Sequence, residues 1–357
     1  DYKVKTIPGI PAINVDMHAG HIPTIGDTEY FFWLFNSKNK SNKLVIWLNG
    51  GPGCSSMDGV FLENGPFRFN GTTLVENKHS WYANANMLYL DQPAGTGYSI
   101  SPEKNFAKNQ DDVNRHFLAF LDHFYKIFDN FKDHELFIAG ESYAGTWIPH
   151  ITLAILNRNK KSPELYLPIK SILIGNGWID PIYQVGTLLS KSFLEEAQLA
   201  METCRNELHK LPSITNQHCE GVMDSILDYS KQDGKYCLNK YDIRLHDKGP
   251  NEGCGMSWPT GVYEMKDYLA RHDVRNALHA QKYTSKSWTE CSWSVYQHIV
   301  SDPTPPSITV FPALLEQLPI NLFVGDQDLI CNILGFKNMI TLLTWNGAQG
   351  IDVLCVY

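Results

Sequence analysis

The 357-residue chain has no run of about 18 apolar residues, so no segment of it is long and apolar enough to cross a bilayer as a helix. It has no surplus of positive charge. Thirty Lys+Arg stand against 38 Asp+Glu, for a formal net charge of −8. Nucleic-acid binding requires clustered cations against phosphate, so that class of partner is excluded, and cationic partners are favoured instead. CxxC pairs, H-x-x-E and HExxH are all missing. Zinc and metallopeptidase chemistry are therefore not written in the chain, and neither metal nor cofactor is expected. His18 and His21 form an HxxH placed in a loop before the sheet, an incidental pair rather than a ligand set. Repeats and low-complexity tracts are absent. With no initiating Met and no basic-then-apolar leader at Asp1, any signal peptide is expected to have been removed or omitted.

What is present is the composition of a folded protein: 43% hydrophobic, 12% aromatic and only 19% charged residues. Eight cysteines occur, and Cys204, Cys219, Cys237 and Cys254 share one polar stretch that reads as a stapled surface region. Four cysteines alone allow three connectivities. Asn39-Lys-Ser and Asn70-Gly-Thr are glycosylation sequons. Together these features point to the secretory pathway: Golgi, vacuole or extracellular space.

Short buried runs alternate with amphipathic stretches. Ile13–Met17 and Glu29–Phe35 read as strands around a turn-rich Ala19–Asp27. Lys43–Leu48, Asn86–Leu90, Leu136–Ala139, Ser171–Gly175 and Asn321–Gly325 are continuous apolar runs of the kind buried in parallel sheets. Val113, Phe117, Phe120, Phe124, Ile127, Phe128 and Phe131 recur at spacings of mostly three and four, which predicts a helix over Asp111–Phe131; Tyr143–Asn157 reads as another. The pattern is that of an α/β fold with a mostly parallel sheet. It divides into a first core part (1–180), a polar, mainly helical cap insertion (181–309) and a second core part (310–357).

Gly140-Glu-Ser-Tyr-Ala-Gly145 lies between a predicted strand and a predicted helix. That is the setting of a nucleophile elbow with Ser142 at its tip, although Ala144 stands where the general pattern has Gly. A serine nucleophile needs a base, an orienting acid and an oxyanion hole. Gly325-Asp-Gln-Asp328, after the last predicted strand, stands where the acid of an α/β-hydrolase belongs, and Asn49-Gly-Gly-Pro-Gly53 stands where oxyanion donors belong.

Trp47-Leu-Asn-Gly-Gly-Pro-Gly-Cys-Ser-Ser56, Gly140–Gly145, Gly175-Asn-Gly177 and Gly325–Asn332 together resemble the serine carboxypeptidases. Met57-Asp-Gly-Val60 and Glu63–Arg68 narrow the likeness to the fungal pheromone-processing, Kex1-type members. The resemblance implies an α/β-hydrolase fold and removal of C-terminal residues from peptides and proteins through an acyl-enzyme. Ser142 would be the nucleophile, Asp328 the triad acid, and the N–H groups of Gly51 and Tyr143 the oxyanion hole. Trp47, Asn49, Glu63 and Glu141 would hold the substrate's terminal carboxylate, and Asn176 would line the acyl side. It also implies the pairs Cys54–Cys291, Cys204–Cys219 and Cys237–Cys254, with Cys331 a free thiol near the site and Cys355 without a counterpart.

The carboxylate grip has its own physical logic. No Lys or Arg lies in these motifs, and two converging glutamates cannot both stay ionised cheaply. One takes a proton and donates a hydrogen bond to the substrate carboxylate, which sets an expectation of best activity in mild acid. Asp58, in the same loop, either lines the pocket of the leaving residue, favouring Lys or Arg, or complements the dipole at a helix start.

The chain departs from the family pattern in one respect. The triad histidine should follow Asp328, yet the thirteen histidines end at His298. The chain is accordingly read as truncated, or as ending in a misread coding segment, with the C-terminal part of the core missing and its peptidase activity impaired. The alternative is a non-catalytic peptide-binding protein on the same fold. An esterase or lipase is disfavoured, because its oxyanion loop would read HGGG-like and the paired glutamates would have no role.

Overall fold

In the computed structural model, residues 2–10, 15–185, 195–210, 217–231, 236–248, 258, 261–282, 288–300 and 302–350 are described. The strands are β1 (Lys3–Val4), β2 (Met17–Pro23), β3 (Glu29–Phe35), β4 (Lys43–Leu48), β5 (Phe67–Asn70), β6 (Thr73–Glu76), β7 (Asn86–Leu90), β8 (Glu135–Glu141), β9 (Ile169–Gly175), β10 (Tyr236–Leu238), β11 (His246–Lys248) and β12 (Ile320–Phe323). The helices that position the site are α1 (Met57–Phe61), α2 (Gln110–Ile127) and α3 (Ala144–Lys161). Residues 181–309 add α4 (Pro181–Val185), α5 (Glu195–Lys210), α6 (Gln217–Tyr229), α7 (Val262–Ala270), α8 (His272–Ala277) and α9 (Trp293–Ile299).

Eight strands form one sheet in the order β1-β2-β3-β7-β4-β8-β9-β12. β1 through β7 pair antiparallel at one side; from β7 onward every pairing is parallel. The apolar runs 43–48 and 86–90 sit in the middle, covered on both faces, which is why they lack polar alternation. On β3 the two-residue period sorts Tyr30, Phe32 and Leu34 to one face and Phe31, Trp33 and Phe35 to the other. The first face packs on Val113, Phe117, Phe120 and Phe124 of α2 and on Trp147, Ile151 and Ile155 of α3. The second packs on Met57, Val60 and Phe61 of α1 and Met265 and Leu269 of α7. Of the stripe read from the sequence, Val113, Phe117, Phe120, Phe124, Phe128 and Phe131 are buried, whereas Ile127, the last residue of the helix, is exposed. The helix starts at the Asn109 cap, whose Oδ1 accepts the Asp112 N–H at 2.9 Å. It ends at Ile127, with Asp129–Phe131 a separate 3₁₀ turn.

The N-terminal reading needs correction. Residues 17–23, expected to be mostly turn, form β2 in seven-residue antiparallel register with β3, while residues 13 and 14 of the expected first strand lie outside the described residues. Gly20 supplied the misleading turn signal, but it serves a close approach. A Cβ there would lie 2.8 Å from the Tyr2 ring. His18 and His21 are therefore strand residues, not loop residues. An odd spacing on a strand sends them to opposite faces, His18 against Phe128 and His21 against Phe31, so they share no ligand.

Among the described residues, 181–309 contribute no strand to the main sheet; β10 and β11 pair only with each other. Cys204–Cys219 joins α5 to α6, and Cys54–Cys291 ties the loop after β4 to the residue before the α9 cap. Cys237 is a buried half-cystine; Cys254 and Cys355 lie outside the described residues.

Candidate active site

β8 ends at Glu141 and α3 begins at Ala144, so Ser142 occupies a two-residue reversal with φ +57°. A non-glycine residue in that region is strained, and the surroundings must hold it. The Ser142 carbonyl accepts the N–H groups of Gly145 and Trp178 at 2.9 and 2.8 Å. The tightness falls on Gly140 and Gly145. A Cβ on Gly140 would stand 2.1 Å from the Leu48 carbonyl oxygen, and one on Gly145 would stand 2.8 Å from Gly177 Cα. Position 144 tolerates a methyl group, so Ala144 is no defect in the elbow.

The glycine loop after β4 meets the elbow edge to edge. A Cβ on Gly50 would lie 2.3 Å from Tyr143 N, so only glycine allows the two backbones to touch. Gly51 follows at φ +110°. Among the described residues, neither Gly51 N–H nor Tyr143 N–H is given to a backbone carbonyl. Asp91 braces this loop from below, a role the sequence reading missed. Its Oδ1 accepts Ser55 Oγ (2.6 Å) and Ser56 N–H (3.0 Å), and its Oδ2 accepts Tyr98 N–H (2.9 Å). Burial pushes its carboxyl up to about 6, against the pull of those hydrogen bonds.

Asp328 follows β12. Its Oδ1 accepts the N–H groups of Ile330 (2.9 Å) and Cys331 (3.2 Å), and its Oδ2 accepts Asn176 Nδ2 at 2.7 Å. Burial raises its proton affinity and these donors oppose the rise. Asn176, at φ +41°, thus positions the acid as well as lining the cavity. Cys331 is free, buried and lines the same space; burial first, then the Asp328 and Glu141 charges, pushes its thiol well up.

Ser142, Asp328, Asn49, Gly51, Glu63, Glu141, Asp58 and Asn176 all line one cavity of about 700 Å³. Asn49 Nδ2 donates to Glu63 Oε1 at 2.8 Å and to Glu141 Oε1 at 3.2 Å, bridging the two acids. Trp47 stands one step behind. It is 2% exposed, and its Nε1 donates to Asn49 Oδ1 at 2.8 Å, so it orients the amide instead of reaching the cavity. Burial, then the facing Glu141 charge, raises the Glu63 carboxyl well above its ordinary value. Burial, then Asp328, pushes Glu141 up to about 7.

A second acid pair was not foreseen. Asp58, in the first turn of the five-residue α1, also lines the cavity, facing Glu290 from the segment before α9. Burial raises Asp58 well above normal, followed by its charge repulsion and hydrogen bond with Glu290; burial also raises Glu290. Asp58 Oδ1 is buried without a hydrogen-bond partner among the described residues. The sequence signal for Glu290 was its place beside Cys291, whose disulfide to Cys54 brings it to the glycine loop. Among the described residues no histidine lines this cavity. His150 Nε2 contacts the Pro305 carbonyl at 3.3 Å, and His298 Nδ1 the Ser294 carbonyl at 2.8 Å.

Comparison with known proteins agrees with this geometry. The family model described as serine carboxypeptidase (Peptidase_S10) matches residues 8–354. The pheromone-processing carboxypeptidase KEX1 of Verticillium alfalfae is 40% identical over 99% of this chain and 59% of its own length. Its counterpart from Aspergillus niger is 39% identical over 99% and 61%. The chain thus spans about three fifths of the length of these curated relatives. The crystal structure of Kex1Δp, a prohormone-processing carboxypeptidase of Saccharomyces cerevisiae, superposes with a TM-score of 0.90 at 36% identity, covering 98% of this chain and 83% of that one. With its elbow, glycine loop and paired acids in one cavity, the chain belongs to the serine carboxypeptidase family.

Proposed function

We propose that the protein removes C-terminal residues from peptides by serine-type acyl transfer, prefers Lys or Arg as the leaving residue and acts in the secretory pathway in mild acid. The observation that carries this reading is the Asn49-bridged pair Glu63–Glu141 beside a strained Ser142. Ser142 Oγ attacks the last peptide carbonyl, and the forming oxyanion lies between the N–H groups of Gly51 and Tyr143. The C–N bond breaks, the amine leaves with a proton, and water hydrolyses the serine ester. Asn49 and one protonated glutamate donate to the terminal carboxylate. As pH rises through about 7 Glu141 loses its proton, negative charge builds beside the carboxylate site and binding weakens. Asp58 and Glu290 supply the charge that a Lys or Arg side chain needs. Residues 181–309 serve as the cap over the cavity, and Asn39 and Asn70, both exposed, serve as glycan acceptors.

The reading is tested by incubating the protein with a Lys-ending peptide at pH 5 and weighing the product. Slow loss of the terminal Lys, in keeping with the missing histidine and absent in Ser142→Ala, is expected, together with stoichiometric labelling of Ser142 by an organophosphorus reagent. Equal trimming by both proteins, or neither trimming nor labelling, overturns it. A second reading, a peptide-binding protein that does not cut, is favoured by the lack of a histidine lining the cavity among the described residues. Tight binding of free-acid peptides with no labelling selects that reading.

A further inference from the structure

Trp293 is the first residue of α9 and is 68% exposed, although it lines the cavity that holds Ser142. Its indole stacks nearly parallel on the Tyr296 ring, with centroids 5.0 Å apart and planes at 14°. The pair is rigidly placed. Ser292 N–H donates to the Gly53 carbonyl at 2.9 Å, Ser55 N–H donates to the Glu290 carbonyl at 2.8 Å, and Cys291 is bonded to Cys54. An open indole face is thus bolted to the glycine loop that carries the oxyanion donors. Aromatic faces at such positions gain by stacking with a further ring.

The direction of the substrate says what reaches that face. A chain whose last residue is held inside the cavity by its carboxylate has only one way out, and everything crossing the mouth lies upstream of the scissile bond. We propose that the Trp293–Tyr296 pair is a platform for an aromatic side chain about two to four residues upstream of that bond, within reach of an extended segment at roughly 3.3–3.6 Å per residue. This specificity element rests on the carboxypeptidase reading. It deepens it, because selection would then depend on an upstream residue as well as on the terminal one.

The experiment measures binding by the 357-residue chain of paired free-acid peptides that end in the same Lys and carry Phe or Ala at the second, third or fourth upstream position. In one of these registers the Phe peptide is expected to bind about two- to twelvefold tighter than the Ala peptide, the fold-change that about 0.5–1.5 kcal/mol of aromatic pairing gives. Trp293→Ala should erase that advantage and Trp293→Phe should keep most of it, while the dipeptide Ala-Lys, too short to reach the mouth, should bind both variants and the parent alike. A Phe advantage that survives Trp293→Ala, no advantage at any position, or an equal loss of Ala-Lys binding overturns the platform. C-terminal amides of the same peptides separate the two readings. Amides that bind as tightly as acids refute the carboxylate grip, and the Phe-to-Ala ratio still decides the platform.

Discussion

The cavity holds two pairs of carboxyl groups that differ in what stands between them. Glu63 and Glu141 are bridged by the Asn49 amide, which is itself aimed by Trp47. Asp58 and Glu290 face each other directly, and Asp58 keeps a buried oxygen without a partner among the described residues. A bridged pair that retains a proton offers donors, and donors suit an anion. An unbridged pair with an unspent acceptor offers charge, and charge suits a cation. Two acids in proximity therefore do not specify a ligand; the third group beside them does.

The sharpest way to break this contrast is Asn49→Ala. Affinity for free-acid peptides should fall roughly ten- to hundredfold, the range for losing hydrogen bonds to charged groups. The preference between Lys- and Leu-ending peptides should stay as it was. A changed preference would mean that the two pairs are one site. A smaller effect is expected from Asp58→Asn. The Lys-over-Leu ratio should drop about tenfold with Leu binding unaltered, in line with removing one member of a partly desolvated ion pair. An unchanged ratio would return Asp58 to the role of a helix-start residue. The mildest test uses pH alone. From pH 5 to 7.5, Leu-ending peptides should lose affinity as the proton on Glu141, near pH 7, is released. Lys-ending peptides should lose less, because any proton released by the raised Asp58–Glu290 pair adds a charge that a Lys side chain matches. Parallel curves would show that only one pair titrates.

How much of this was legible beforehand follows from chain distance. The parallel strands, the α2 stripe and the elbow are local patterns, and they stand where periodicity placed them. Motif likeness carried Glu63 and Glu141 to the same wall as Ser142. Glu290 went unread because its partner Asp58 lies in a distant part of the chain, brought to it by Cys54–Cys291 and the backbone hydrogen bonds beside that disulfide. Asp91 was hidden by its own strand end, where a carboxylate reads as an ordinary turn residue; only the Ser55, Ser56 and Tyr98 donors reveal a brace. β2 was misplaced because Gly20 looks like punctuation until the Tyr2 ring is seen filling the room it leaves.

The Asn49 bridge has one more consequence. In the proposed reaction each scission exposes a fresh α-carboxyl on the shortened chain, so the feature that marks a molecule for trimming is renewed at every round. The bridge cannot tell a first pass from a fifth. In that reading, stopping falls to Asp58 and Glu290, the groups proposed to select the newly exposed end.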